Sequence, residues 1–401
     1  MIFKQILHFF GKRIKYNKYI SRVFKAICTF QNTVFVYSTF LKKSKLFNIN
    51  NMSKQTFQFL KELPTPLKAS QCVLHKHELL ICGGDEQRVC YSYDILKNEY
   101  KFICEYPSDV QLWGHCVVKL VDNNNKDNNK ITLLSFGGYF KHTLMMKYMS
   151  VWSNTSNKPN KLSNYNQWIP FKDNHNNPII IGRNNDNYEG VRAVIGGSNN
   201  HLLFITYPNN ISVFNLNTFQ FIKHDTLPAG NWIRFHCFVL KSENGQEQKM
   251  IKTDQEKNKQ SYQMLLFCEK TGLSIEYGED SNTFQFRLPI CDDIAPFKEY
   301  ACVCVNDIIL FFGGWDCDNG AISKSIHKYL ISENKWIIFQ NALPSPLGLC
   351  VAILNEEDNN IHIIGGVDDK DIMVSTHMKT KVSVWDCSQL VIICLFIIYL
   401  F

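Results

Sequence analysis

The chain has 401 residues, 45% of them hydrophobic, 13% aromatic and only 20% charged, which excludes a disordered or fibrous protein and leaves ample material for a large core. Its net charge of +7 is uneven: residues 1–51 hold ten Lys/Arg and no Asp or Glu, so the remaining chain stands at −3. A nearly neutral bulk lacks the clustered cationic surface that phosphate contacts need, which argues against a nucleic-acid partner.

Residues 1–51 are basic and acid-free with eleven Phe/Tyr, a composition similar to a mitochondrial presequence or a membrane-surface helix. They lack the compact apolar core and small-residue cleavage site of a secretory signal. A second reading makes them a disordered arm or a mis-assigned stretch ahead of a true start at Met52.

From Thr56 onward the chain repeats itself. TFQFLKELP at Thr56 returns as TFQFIKHDTLP at Thr218 and TFQFRLP at Thr283, with looser copies NEYKFICEYP at Asn98, NQWIP at Asn166 and NKWIIFQNALP at Asn334. Strings such as CYSYD at Cys90, SVWSN at Ser150, ISVFNLN at Ile211, LSIEYGED at Leu273, SIHKYL at Ser325 and VSVWD at Val382 precede them. Gly doublets end apolar runs at Gly84, Gly138, Gly314 and Gly366, 54 residues apart in the first pair and 52 in the last. The 176 residues between Gly138 and Gly314 hold three intervals of about that size, with HLLFITY at His201 and MLLFCEK at Met264 standing where the doublets are lost. A strand opens each unit: SQCVLH, GHCVVKL, RAVIGG, FHCFVL, YACVCV and GLCVAIL. No stretch between them carries a long helical period, so the chain reads as all-β, in four-stranded units from about Gln71 to Trp385.

These units resemble the kelch repeat over roughly residues 54–386, with the first, second, fifth and sixth matching best. The resemblance implies a kelch-type β-propeller, one blade per unit and six in all. The last unit supplies only three strands, expected as GLCVAIL, NIHIIGG and KVSVWD. The orphan Thr56–Leu60 is then expected as its outermost strand, closing the propeller and leaving no open edge. The aromatics of the fourth strands, such as Trp168 and Trp336, are expected to fill the space between blades. The doublets are expected where the chain turns sharply, because Gly tolerates positive φ. The organisation is therefore an extension over 1–51, a propeller over 52–386 and a tail over 387–401.

The fifteen cysteines include no CxxC pair, and most lie in apolar runs as small buried hydrophobes, which favours a reducing cytosol. Cys72, Cys116, Cys237 and Cys350 take equivalent places in innermost strands, a packing pattern spread too widely for one zinc ion. Asn-x-Ser strings at Asn51, Asn154 and Asn210 stay unused in that compartment. His75 and His77 read as an exposed turn, and His115 and His236 as a shared packing position. GGSNN at Gly196 reads as a hairpin turn, and the polar stretches from Val121 and Lys241 as solvated loops. The apolar tail Leu390 to Phe401, as a helix of about 18 Å, falls short of a ~30 Å hydrocarbon core.

With no catalytic motif, no cofactor and no metal set expected, the reading is a non-catalytic interaction module in the cytoplasm. The resemblance implies that loops at one end take a protein or peptide partner. Those positions are Asp85, Glu86 and Arg88; Tyr139 and His142; Trp315, Asp316 and Asp318; Asp368 and Asp369; and Trp113, Trp232 and Arg234 where blades begin. Exposed Trp and Arg are the types that anchor interfaces. The alternatives are an enzyme or small-ligand binder using the channel, as in kelch-like oxidases, and a propeller tethered to a membrane by its termini.

Overall fold

A computed structural model describes residues 56–121, 130–153, 164–230, 232–241, 261–287, 297–339 and 342–385. The chain divides into residues 1–52 and 53–401, and everything described lies in the second unit. The expectations for residues 1–51 and 387–401, and for most of the two polar loops, fall outside the described residues. Among the described residues no helix is long and apolar enough to cross a membrane.

The described chain forms six four-stranded antiparallel sheets and one three-stranded sheet. Sheet one holds Gln71–His75, Glu78–Gly84, Gln87–Asp94 and Glu99–Glu105. Sheet two holds His115–Leu120, Lys130–Gly137, His142–Met149 and Ile169–Pro170. Sheet three holds Arg192–Gly196, Leu202–Tyr207, Asn210–Asn215 and Gln220–Thr226. Sheet four holds Cys237–Leu240, Ser261–Cys268, Thr271–Gly278 and Thr283–Arg287. Sheet five holds Ala301–Val305, Ile308–Phe312, Ile326–Leu330 and Lys335–Phe339. Sheet six holds Val351–Asn355, Asn360–Ile364, His377–Lys381 and, from the N-terminal side, Gln58–Phe59.

The second strands of sheets one, three, five and six are buried throughout, and those of sheets two and four over their last five residues, because neighbouring sheets cover both faces there, and these stretches read as largely apolar runs. The fourth strands alternate, with one face turned to solvent. Buried apolar side chains gather in six clusters, each spanning two consecutive sheets; one joins Ile364, Val351 and Ile353 of sheet six to Leu79, Ile81 and Tyr93 of sheet one. The first strands touch in sheet order, and that of sheet six touches that of sheet one. Trp168 lies buried in one seam, stacked on Tyr106 at 4.6 Å, and Trp336 packs on Phe267 and Phe311 in another.

Three strand expectations are corrected. The third strand of sheet six is His377–Lys381, not KVSVWD; Val382–Trp385 makes a helical turn that buries Val382 and Trp385, three residues apart on one face. SVWSN likewise lies beyond the third strand of sheet two, which is His142–Met149. The N-terminal strand is shorter than Thr56–Leu60: Gln58 and Phe59 pair with Lys379 and Met378, and Leu60 N–H adds a bond to His377 O at 2.9 Å. The three-stranded sheet, Phe297–Lys298, Trp315–Asp316 and Ala321–Ile322, had no counterpart in the repeat reading.

Candidate functional site

The Gly doublets and the residues leading into each first strand meet at one end of the sheets. The lead-in residues share a left-handed conformation: Ala69, Gly114, Gly190, Phe235, Glu299 and Leu349 have φ between 48° and 67°. Bonds join several of them across sheets, as from Ala69 N–H to Leu349 O at 2.8 Å and from Phe235 N–H to Gly190 O at 2.9 Å. The doublets supply clearance for these segments. A Cβ on Gly313 would stand 2.0 Å from Leu347 O, and one on Gly314 2.7 Å from Lys298 O. Each doublet is thus pressed between the lead-in of its own sheet and that of the next, a stronger demand than a sharp turn.

The lead-ins surround an open cavity of about 90 Å³, lined by Ser70, Arg192, His236, Glu299, Cys302 and Cys350 among others. Arg192 is its cation. It donates to Val191 O at 2.9 Å and lies 5.8 Å from the Phe235 ring centroid, with no ion pair to any described carboxylate. Ser70 Oγ and His236 Nδ1 are buried without partners. His236 Nε2 faces Thr206 Oγ1 at 2.6 Å, and burial holds its imidazole well below the usual range, hence neutral. Burial raises the Glu299 carboxyl, partly offset by Lys298 and Arg234.

The expected partner residues divide three ways. Asp85 is not presented to a partner: it is 3% exposed, and Oδ1 accepts the Gly114 N–H at 2.8 Å. Burial pushes its carboxyl up to about 6, against the lowering pull of the Gly114 bond and Lys68. His142 faces inward too, its Nε2 2.7 Å from Ser135 Oγ, and burial holds it down at about 4. Tyr106 OH also donates to Ser135, but no carboxylate orients His142 and Ser135 is fully buried, so the pair lacks the orienting group and access of a nucleophilic site.

Others are tied into ion pairs or into the small sheet. Arg234 donates to Glu189 Oε1 at 2.9 Å, Arg88 lies 3.7 Å from Glu105, and Asp318 lies 3.1 Å from Lys270. Trp315 and Asp316 are half-buried, and Asp316 Oδ1 accepts the N–H groups of Asp318 and Asn319. Trp113 is half-buried with Lys68 Nζ 5.9 Å from its ring. Asp368 is half-buried and accepts the N–H groups of Lys370 and Ile372. The remainder face solvent: Glu86, Asp369, Tyr139 at 59% and Trp232 at 62% exposure. Phe140, beside Tyr139 and 51% exposed, was missed because nothing in its string marks which of two adjacent aromatics turns outward. Arg192 was missed because it opens a strand that reads as core.

His75 is buried rather than exposed, its ring edge-on to Tyr148 at 6.1 Å, while His77 is half-exposed, 3.9 Å from Asp94. Among the described residues no group of three or more His, Cys, Asp or Glu is placed to hold a metal ion.

No family model matches the chain. No curated protein matches it either. Solved structures do match. That of YjhT, a kelch-type β-propeller protein, superposes with a TM-score of 0.52 at 12% identity, covering 79% of this chain and 95% of YjhT. At that identity the likeness carries the fold alone, and the fold is a β-propeller.

Proposed function

We propose that the chain is a six-bladed kelch-type propeller, closed by Gln58–Phe59, and works as a non-catalytic interaction module. Six core seams and the contact between first and last sheets support the blade count. The partner is a protein or peptide bound across the lead-in end, and a carboxylate on it enters the cavity. Arg192 carries this reading: a guanidinium that makes no ion pair with any described carboxylate, beside two unpartnered buried polar atoms, is completed by an anionic hydrogen-bonding group. Trp232, Tyr139 and Phe140 supply exposed aromatic area of the kind that anchors interfaces. The eleven described cysteines, all unpaired, fit a reducing cytoplasm.

Affinity capture with the full chain tests the reading against Arg192→Ala and Trp232→Ala. A partner lost with both variants supports it; a partner retained by both overturns the assignment of this face. The second reading, a small anionic ligand in the channel, rests on the same cavity. It predicts ligand binding by the isolated protein that Arg192→Ala abolishes and Trp232→Ala leaves intact.

A further inference from the structure

Sheet one carries three cysteines abreast. Cys82 pairs in register with Cys90 on the next strand, and Cys90 pairs with Cys104 on the strand beyond. Register partners on antiparallel strands have Cα atoms about 4.5–5.5 Å apart and side chains on one face, which lies inside the range a disulfide spans. The three share one core cluster, and the Cys90 thiol interacts with the thiols on both sides. Cys82 and Cys90 are fully buried, whereas Cys104, on the outer strand, is half-buried and sits 3.7 Å from Met146 Sδ. Trp168 of sheet two donates its indole N–H to Cys90 Sγ at 3.3 Å, a contact that favours the thiolate.

We propose that Cys104, Cys90 and Cys82 form a thiol relay that hydrogen peroxide oxidises from the outer strand inward. Burial and the neighbouring Cys90 keep the Cys104 thiol protonated, so Cys104 passes its proton through the Cys90 thiolate to the leaving oxygen as it attacks the peroxide, breaking the O–O bond to give a Cys104 sulfenic acid and one water. Cys90 thiolate then attacks that sulfur, forming the Cys90–Cys104 disulfide and releasing a second water, so two thiols are oxidised and one hydrogen peroxide is reduced. Cys82 next attacks Cys90 Sγ, giving Cys82–Cys90 and passing its proton to the departing Cys104, which returns as a thiol by exchange with no net oxidation. The product lies at the seam that Trp168 and Tyr106 fill, so sheet two senses it through the Trp168–Cys90 contact.

The test treats the reduced, folded full chain with hydrogen peroxide, alkylates the remaining thiols and maps disulfides by non-reducing peptide mass spectrometry. Cys90–Cys104 is expected first and Cys82–Cys90 second. Cys104→Ser is expected to slow Cys82–Cys90 formation by about tenfold or more, since the buried pair then has no accessible sulfur to start from. Cys90→Ala is expected to abolish both bonds and leave Cys104 as a trappable sulfenic acid, and Cys82→Ala to arrest the chain at Cys90–Cys104. A first disulfide elsewhere, such as Cys237–Cys302, overturns the proposal. So does oxidation confined to the exposed Cys317 while the three thiols stay reduced in the folded protein.

Discussion

Gly365 stands against the carbonyl of Leu67: its φ is 64°, and a Cβ built on it would lie 2.4 Å from Leu67 O. The next residue, Gly366, donates its N–H to that same oxygen at 2.7 Å. At this point sheet six and the approach to sheet one therefore meet backbone to backbone.

Gly365→Ala combines a left-handed backbone with a collision that no side chain can relieve. It is expected to lower stability by more than about 3 kcal/mol. Gly230→Ala, in open space and without a positive φ, is the control and is expected to change stability by less than about 0.5 kcal/mol. Denaturant midpoints of the two variants check the contrast. Equal effects would sink the clearance argument.

Phe57 immediately precedes the N-terminal strand and Phe59 ends it; Phe57 is buried 5.9 Å from the Trp385 ring and Phe59 is 64% exposed. Phe57→Ala is expected to cost about 3–5 kcal/mol, the range for emptying a buried aromatic site. Phe59→Ala is expected to stay within about 0.5 kcal/mol. Urea unfolding of both variants measures whether this strand closes a core seam or merely lies along an edge.

Burial keeps several histidines neutral: His115 is held down at about 3, and His142, His327 and His362 at about 4. An unfolded histidine titrates near pH ~6.5, so the folded state binds fewer protons below that value. The stability these groups contribute is complete above about pH 6.5 and is lost as pH falls toward 4. The urea midpoint is expected to drop steadily from pH 7 to pH 5; a flat profile would contradict the neutral, buried assignment.

Asp85 acts in the opposite sense. Its carboxyl is raised to about 6 by burial, so the folded state holds a proton that the unfolded state has released, and the penalty is present above that pH. Asp85→Asn retains an oxygen for the Gly114 N–H and removes the buried charge. It is expected to stabilise the protein by about 1–2 kcal/mol at pH 7.5, with the gain vanishing near pH 4, as thermal melts at the two values would show.

The repeat was legible because its strongest signals are dictated from two sides: a strand covered on both faces must be apolar throughout, and a doublet pressed between two lead-ins must be glycine. The end of sheet six was not. VSVW alternates like a strand, and nothing local announces that Trp385 turns back onto Phe57, Phe312 and Phe339. The three-stranded sheet escaped notice because strands of two residues carry no period. The candidate site was half legible. Exposed Tyr139 follows from its place beside a doublet and Trp232 from its place where a blade begins, whereas the burial of Asp85 depends on the Gly114 N–H, supplied by another sheet.

Four of the six left-handed lead-in residues are not glycine: Ala69, Phe235, Glu299 and Leu349 adopt a conformation their own side chains disfavour. Their backbones are therefore held by the packing of adjacent sheets and not by local preference. An aperture whose rim is fixed from behind keeps its bore when the residues facing across it are exchanged. Specificity at this mouth can drift by relining, one side chain at a time, while the frame stays still.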